Sequence, residues 1–151
     1  SLRLISAGIS IGLGSIGPTL GLAYFAKSAA EGLGVNRDAY DKIMTFTFLS
    51  EALIETPVVF ALVTSLLLLT TSAPSTFKGL TLIAAALCVG VGNSAPGISS
   101  GQTASSACTQ IAINPGLYSI ISKTSMLAQG LIDSMTIYCW IISLLLIFFA
   151  G

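Results

Sequence analysis

Residues 53–60 read LIETPVVF, and residues 131–138 read LIDSMTIY. The two stretches are 78 positions apart, and each places one carboxylate, Glu55 or Asp133, in the middle of a long apolar segment. An apolar segment of about 20 residues or more is long enough to cross a bilayer as a helix. The pair of stretches therefore predicts a membrane protein in which one helical unit occurs twice.

The repeat extends outward from these stretches over both halves of the chain. The same offset aligns the following pairs without a gap: Gly12 with Gly90, Gly14 with Gly92, Pro18 with Pro96, Asn36 with Asn114, and Phe60 with Tyr138. Self-similarity at a fixed separation indicates a duplicated structural unit. We interpret the chain as a tandem duplication.

Four long segments are predicted to cross the membrane. They cover roughly residues 4–34, 41–71, 77–112 and 117–150, with turn-forming residues between them at 34–38, 72–75 and 114–116. Only helices and closed barrels satisfy the backbone inside lipid, and no segment has the alternating pattern of a barrel strand. The sequence predicts an all-α membrane protein with four transmembrane helices, arranged as two tandem hairpins (1–74 and 75–151).

The composition indicates that lipid, rather than water, surrounds most of the chain. Hydrophobic residues make up 54% of it and charged residues 8%, whereas a soluble domain has about 25% charged residues. Six basic and six acidic residues cancel, which disfavours nucleic acid and anionic membrane surfaces as partners. The three cysteines have no metal-like spacing, and we predict neither a metal site nor a cofactor.

Small residues distinguish the first helix of each hairpin from the bulkier second helix. The glycines of the two first helices include Gly8, Gly12, Gly14, Gly17 and Gly21, then Gly90, Gly92, Gly97 and Gly101. Small residues let helix backbones approach closely. We expect the first helices to form a tightly packed inner layer with the second helices outside it.

Glu55 and Asp133 are the candidate ion carriers. Glu55 lies about fifteen residues beyond Tyr40, which places it roughly 22 Å along its helix and near mid-membrane. Asp133 has the same depth by the repeat. An acid at this depth usually marks an ion pathway, although a protonated acid can also simply link two helices by a hydrogen bond. Its presence in both halves favours carriers, and we expect both acids on the outward-facing layer of second helices.

Three polar neighbours are candidate supporting residues. Thr56 and Ser134 follow the acids, and their hydroxyls could bond the carboxyl or an ion, or instead a backbone carbonyl one turn back. Glu51 lies one turn before Glu55 on the same helix face, and its repeat partner is Gln129. We predict a supporting or access role for Glu51.

The arrangement resembles the c subunit of F-type ATP synthases over essentially the whole chain, twice. The family's small-residue stretch with proline is similar to residues 17–21 (GPTLG) and 95–99 (APGIS), its polar loop to residues 113–115 (INP), and its acid motif to residues 55–60 and 133–138. The resemblance implies a homo-oligomeric ring in membrane lipid, a stator subunit (the a subunit) whose arginine faces each acid in turn, and a central rotor stalk. ATP chemistry would belong to other subunits, so the chain is not expected to be an enzyme by itself.

Departures from the family pattern keep alternatives open. The loop arginine is replaced by Val35 and Ile113, with Arg37 nearby, so docking of the stalk is expected to differ. The duplication is also similar to the V-type ATPase proteolipid, which commonly keeps an acid in only one hairpin. A small four-helix transporter or channel and a structural proteolipid are further alternatives. Many transporters use inverted repeats, whereas two hairpins that each cross twice repeat in parallel.

The resemblance also bears on the transported ion. In sodium-carrying relatives, a glutamine four residues after the proline joins the acid and a neighbouring hydroxyl in coordinating the ion. That position is Leu22 in one hairpin and Ser100 in the other. We therefore expect proton transport. Leu22 and Ser100, together with the aromatic residues that follow the acids, Phe60 and Tyr138, are further candidate supporting residues of the ion site.

The compartment is predicted from a smaller set of residues. Residues 114–117, Met135 and Cys139 resemble mitochondrial members of the family. This resemblance favours the mitochondrial inner membrane over a bacterial plasma membrane.

Overall fold

The computed structural model of the protein describes residues 2–149. Its helices are α1 (Leu2–Val35), α2 (Tyr40–Thr70), α3 (Thr76–Ile113) and α4 (Tyr118–Phe149), with short 3₁₀ turns at Arg37–Ala39 and Pro115–Leu117. All four long helices are apolar and long enough to cross a membrane. The predicted fold of four transmembrane helices in two tandem hairpins is confirmed, and the helix ends lie within a few residues of those expected.

The loops within the two hairpins differ in detail. The Asn36 side chain accepts a hydrogen bond from the Asp38 amide at 3.1 Å and donates one to the Ala112 carbonyl at 2.9 Å. It therefore caps its own turn and ties the first loop to the end of α3. Its repeat partner Asn114 makes no side-chain cap bond, and Pro115 begins the second turn.

The two small-residue helices, α1 and α3, pack against each other along most of their length. A Cβ atom added at Gly17 would overlap the backbone of Ser94, and one added at Gly101 would overlap the backbone of Gly21. Backbones this close leave no room for a side chain, which explains the need for glycine at these positions. The predicted tightly packed layer of first helices is present.

The bulkier helices lie on this layer and complete the contact between the hairpins. Helix α2 packs against both α1 and α3, and α4 packs against α3 and α2. Asn93 of α3 donates a hydrogen bond to the Pro57 carbonyl of α2 at 2.6 Å. The chain thus has one buried interface between its hairpins and two open edges, one on each hairpin.

Candidate ion-carrying site

Glu55 lies in the middle of α2 on the open edge of the first hairpin. Its side chain is exposed, and it lines a groove with Ser15, Pro18, Thr19 and Leu22 of α1, together with Val58 and Val59 of its own helix. It lies on a second helix, as predicted, and its side chain is open on this edge. Leu22 supplies only apolar atoms to this groove.

Asp133 lies at the corresponding place in α4 but is buried, with 8% of its surface exposed. Its Oδ1 atom has no hydrogen-bond partner among residues 2–149. Asp133 lies on a second helix, as predicted, but its side chain is covered, whereas that of Glu55 is open. The face of α4 that carries Asp133 points towards the first hairpin, which covers it. Glu55 lies on the opposite, open side of the first hairpin, where no hairpin of the same chain packs.

Gln129, one turn before Asp133 on the same face, shows where that face points. Its Nε2 atom donates to Ser50 Oγ of α2 at 3.3 Å and to Ser125 Oγ at 3.1 Å, and its Oε1 accepts from Ser100 Oγ of α3 at 3.4 Å. The bond to Ser50 aligns α4 with α2 at an offset of 79 residues. Gln129 is fully buried and joins three helices by these bonds.

Glu51, the repeat partner of Gln129, is only partly buried. It lies on the open edge of the first hairpin, which no other part of residues 2–149 covers. Its predicted supporting or access role stays a prediction. Ser100 lies in the network around Gln129, at one turn from the level of the acid.

The hydroxyls beside the two acids bond to their own helices. Thr56 Oγ1 donates to the Ala52 carbonyl at 3.0 Å, and Ser134 Oγ donates to the Leu131 carbonyl at 2.6 Å. These are the backbone bonds that hydroxyls in helices commonly make. In this arrangement each hydroxyl donates its hydrogen to the backbone of its own helix and not to the neighbouring acid.

The aromatic residues that follow the acids have different surroundings. The Phe60 ring lies 4.9 Å from the Trp140 ring, measured between centroids, and joins α2 to α4. Tyr138 is exposed, on a surface that lipid or another protein would cover. Their equivalence in sequence therefore does not extend to their contacts.

Two polar residues near Asp133 were not identified from the sequence. Asn93 and Thr136 are fully buried, and the Asn93 Oδ1 and Thr136 Oγ1 atoms have no partner within the described part of the chain. Their repeat partners are Ser15 and Val58, so neither residue type recurs at the matching position of the other half. An asparagine in an otherwise small-residue membrane helix was the signal that could have identified one of them.

Both halves of the chain match one family of known proteins. The model of the family described as the ATP synthase C subunit matches residues 5–68 and 83–146. The second match begins at residue 83, 78 residues after the first begins at residue 5, which is the offset of the internal repeat.

Individual relatives correspond to one hairpin each. ATP synthase c subunit 2 of Cereibacter sphaeroides is 33% identical over 75 residues, which cover 50% of this chain and 90% of the relative. The ATP synthase c subunit of Dehalococcoides mccartyi is 37% identical over 68 residues, with 45% and 90% covered. The Prochlorococcus marinus protein of the same name is 39% identical over 66 residues, with 44% and 82% covered. Each match spans about half of this chain and most of the relative.

Proposed function

We propose, from the premise that this chain belongs to the ATP synthase C subunit family, that it is a rotor-ring protein and carries protons on Glu55 and Asp133. One observation carries the proposal: a carboxylate occupies the same position of the second helix in both family-matched halves. Ionisable groups at this depth of a membrane helix are costly and usually functional. A carboxyl group can hold a proton as a neutral acid within the membrane and release it near a cation or water.

The interface between the hairpins within one chain supports assembly into a ring. It brings the backbones of α1 and α3 into contact and includes the Asn93 bond to Pro57. The first hairpin contributes the buried residues Gly14, Gly17, Gly21, Ile54 and Pro57, and the second contributes Asn93, Gly97, Ser100, Asp133 and Thr136. We call these the first and second faces.

Each face recurs, displaced by 78 residues, on an open edge of the chain. The counterpart of the first face lies in a groove on α3 and α4 and comprises Gly92, Ala95, Ser99, Ile132 and Met135. The counterpart of the second face lies in a groove on α1 and α2 and comprises Ser15, Thr19, Leu22, Glu55 and Val58. The two edges are therefore suited to pack on each other between copies in the same register, with the backbones further apart than within one chain, because Ser99 and Thr19 stand at the places of Gly21 and Gly97.

Repetition of this contact generates a closed assembly. A head-to-tail contact between identical chains forms a ring when its rotation closes. In such a ring, Glu55 takes the position between hairpins that Asp133 already has within the chain. Both acids are then enclosed, which the single chain achieves only for Asp133.

A cysteine pair tests this register directly. We expect Thr19→Cys combined with Ser99→Cys to produce a ladder of disulfide-linked chains, because these positions correspond to Gly97 and Gly21, whose backbones are in contact within the chain. A disulfide requires Cα atoms about 4.4–6.8 Å apart. Non-reducing electrophoresis of oxidised membranes, with the three native cysteines replaced by serine, gives the readout.

The matched control combines Thr19→Cys with Ser106→Cys. Ser106 is exposed on α3, seven residues beyond Ser99 and therefore about 10 Å further along the helix axis. This pair should give little cross-linking. A ladder of equal strength from the control, or none from the Ser99 pair, would contradict the proposed contact between copies.

The surroundings of the acids favour a proton over sodium. A sodium ion needs several oxygen ligands, but Leu22 beside Glu55 has none in its side chain, and the Thr56 hydroxyl bonds the backbone of its own helix. Ser100 is engaged with Gln129. A proton needs only the carboxylate, so the same site can carry it.

The other parts of the proposed machine lie outside this chain. We infer that a stator subunit exchanges protons with the acids, that a central stalk transmits the rotation, and that ATP chemistry takes place on other subunits. A V-type proteolipid is the second candidate, because the hairpin is duplicated; the second carboxylate favours the F-type assignment.

The helices and the family place the protein in a membrane, and the relatives bear on which membrane this is. Four long apolar helices and the family membership make it an integral membrane protein. The relatives named above are bacterial, so they do not support the mitochondrial inner membrane suggested by residues 114–117, Met135 and Cys139. The mitochondrial assignment rests on that local resemblance alone.

A further inference from the structure

Five buried polar side-chain atoms have no partner among residues 2–149; two of them, Trp140 Nε1 and Ser143 Oγ, lie further along α4, and three belong to the second acid and to residues near its level. These three are Asp133 Oδ1, Asn93 Oδ1 and Thr136 Oγ1. Buried polar atoms are nearly always hydrogen-bonded, to protein or to ordered water. Three such atoms in one interface therefore indicate a shared partner, and a proton or a water molecule is small enough to be that partner.

Helix alignment places these three residues at neighbouring levels. The Gln129–Ser50 bond aligns α4 with α2 at an offset of 79 residues, and this offset puts Thr136 at the level of Pro57. The carbonyl of Pro57 accepts the hydrogen bond of Asn93. Asp133 precedes Thr136 by three residues, on the same helix face and about 4.5 Å along the axis. The acid, the hydroxyl and the amide thus share one small region between the hairpins.

The amide of Asn93 has a defined orientation. Its Nδ2 atom donates to the Pro57 carbonyl at 2.6 Å. Its Oδ1 atom remains as an acceptor, and an acceptor can bond a protonated carboxyl but not a carboxylate, which offers no hydrogen to donate. Asn93 is therefore oriented to favour the proton-loaded form of the acid.

The first hairpin has no equivalent arrangement. Ser15, which replaces Asn93, donates its hydroxyl to the Gly12 carbonyl at 3.1 Å, and Val58 replaces Thr136. The groove around Glu55 is therefore poorer in polar side chains. The two acids of one chain differ in their immediate partners as well as in their burial.

We propose that Asn93 is a proton-site residue of Asp133 and accepts a hydrogen bond from the loaded carboxyl, directly or through one water molecule that Thr136 also contacts. The inference rests on the proposed carrier role of Asp133 and adds that the two carriers of one chain differ in proton affinity. A ring of these chains would present the two kinds of carrier alternately. The proton stays on the carboxyl oxygen while Asn93 Oδ1 accepts the hydrogen bond.

Few charged groups compete with this effect. The nearest charged residues on α2 are Glu55 and Glu51. Glu55 lies two residues before Pro57, on a different face of the helix, and Glu51 lies six residues before it. Helix α3 carries Lys78 as its only charged residue, and α4 carries Lys123 besides the acid itself. Lys78 and Lys123 are ten or more residues from the level of the acid, so both are remote from it.

Two substitutions of opposite expected effect test the inference. Asn93→Ser introduces the residue of the first hairpin, removes the amide acceptor and leaves space for water around the carboxylate. We expect about a 3- to 10-fold loss of proton affinity at Asp133, since one hydrogen bond is lost. Asn93→Asp adds a carboxylate of the same shape, and the repulsion between like charges should raise the affinity by about tenfold or more.

The readout is the pH dependence of dicyclohexylcarbodiimide labelling in the assembled protein, measured by mass spectrometry separately for the peptides that contain Asp133 and Glu55. The half-maximum at Asp133 should move to lower pH in Asn93→Ser and to higher pH in Asn93→Asp. The half-maximum at Glu55 should stay in place, as an internal control. The shift in Asn93→Ser tests the hydrogen bond, whereas the shift in Asn93→Asp tests that position 93 lies close to Asp133.

Each remaining outcome has a definite meaning. An unchanged half-maximum at Asp133 in both variants, or equal shifts at both acids, would overturn the role of Asn93 while leaving both acids as carriers. Absence of labelling at Asp133 in the unmodified protein would instead contradict the carrier role on which the inference rests. If Asn93→Ser does not assemble, Asn93→Ala, which also removes the amide acceptor, is measured in its place.

Discussion

Glu55→Gln and Asp133→Asn should each leave the assembly intact and reduce coupled proton transport to the background leak. The amide keeps the shape and hydrogen-bonding capacity of each side chain but cannot gain or lose a proton at the pH of the membrane. In a rotor, a carrier that cannot be unloaded stops the whole cycle, so one variant acid in each chain is sufficient. ATP-driven proton uptake by vesicles that contain the complete complex measures the effect.

The matched control for these substitutions is Glu31→Gln. Glu31 is exposed near the loop end of α1 and forms only a 3.9 Å ion pair with Lys27, so the same change of carboxylate to amide should leave pumping near its normal level. Normal pumping by Glu55→Gln or by Asp133→Asn would show that the substituted acid is dispensable. The effect should be similar for both acids although only one of them is buried in the single chain.

Gly101→Ala should destabilise the folded chain by about 1–3 kcal/mol, and Gly101→Leu should prevent assembly. The Cβ of either residue would overlap the backbone of Gly21, and a backbone cannot move aside without separating α1 from α3. The control is Gly8→Ala, since a Cβ at Gly8 meets nothing within 4 Å and its repeat partner is already Ala86. Thermal unfolding in mild detergent compares the two alanine variants.

Equal stability of Gly101→Ala and Gly8→Ala would contradict the close packing of the first helices. The comparison is informative because both substitutions add one methyl group to a helix that is rich in small residues. Only the neighbour of that methyl group differs. Alanine is also the better helix former, so any loss of stability at Gly101 must come from the contact with α1.

The helices, the hairpins and the position of the acids could be predicted from the sequence, for physical reasons. A bilayer allows few backbone structures, so segment length and composition were sufficient to predict four helices. The gap-free alignment of residues 53–60 with 131–138 then placed Glu55 and Asp133 at equal depth on second helices, where the structure has them.

The different burial of the two acids could not be predicted from the repeat. A repeat indicates equal local structure, but two hairpins in one chain have only one interface between them, so one copy of each face is covered and the other is open. Asp133 therefore differs from Glu55 although their sequences align. For the same reason Gln129 is enclosed by hydrogen bonds to three helices, while Glu51 lies on an open edge.

The hydrogen-bond partners of the polar side chains could not be predicted from the sequence either. A hydroxyl in a helix can bond its own backbone or a neighbour, and spacing does not distinguish these choices. Thr56 and Ser134 make the backbone bond. Asn93 bonds across to Pro57, a residue 36 positions away in the chain, which only the packing of α2 on α3 brings close.

The most direct test of the central claim is carbodiimide labelling of the purified assembly with and without millimolar sodium, with mass spectrometry of the peptides that contain Glu55 and Asp133. Dicyclohexylcarbodiimide modifies protonated carboxyls in apolar surroundings, so a proton carrier should react. We predict that both acids are labelled at mildly acidic pH and that sodium does not protect either of them. Failure to label either acid would contradict the carrier role, and strong protection of both by sodium would contradict proton transport.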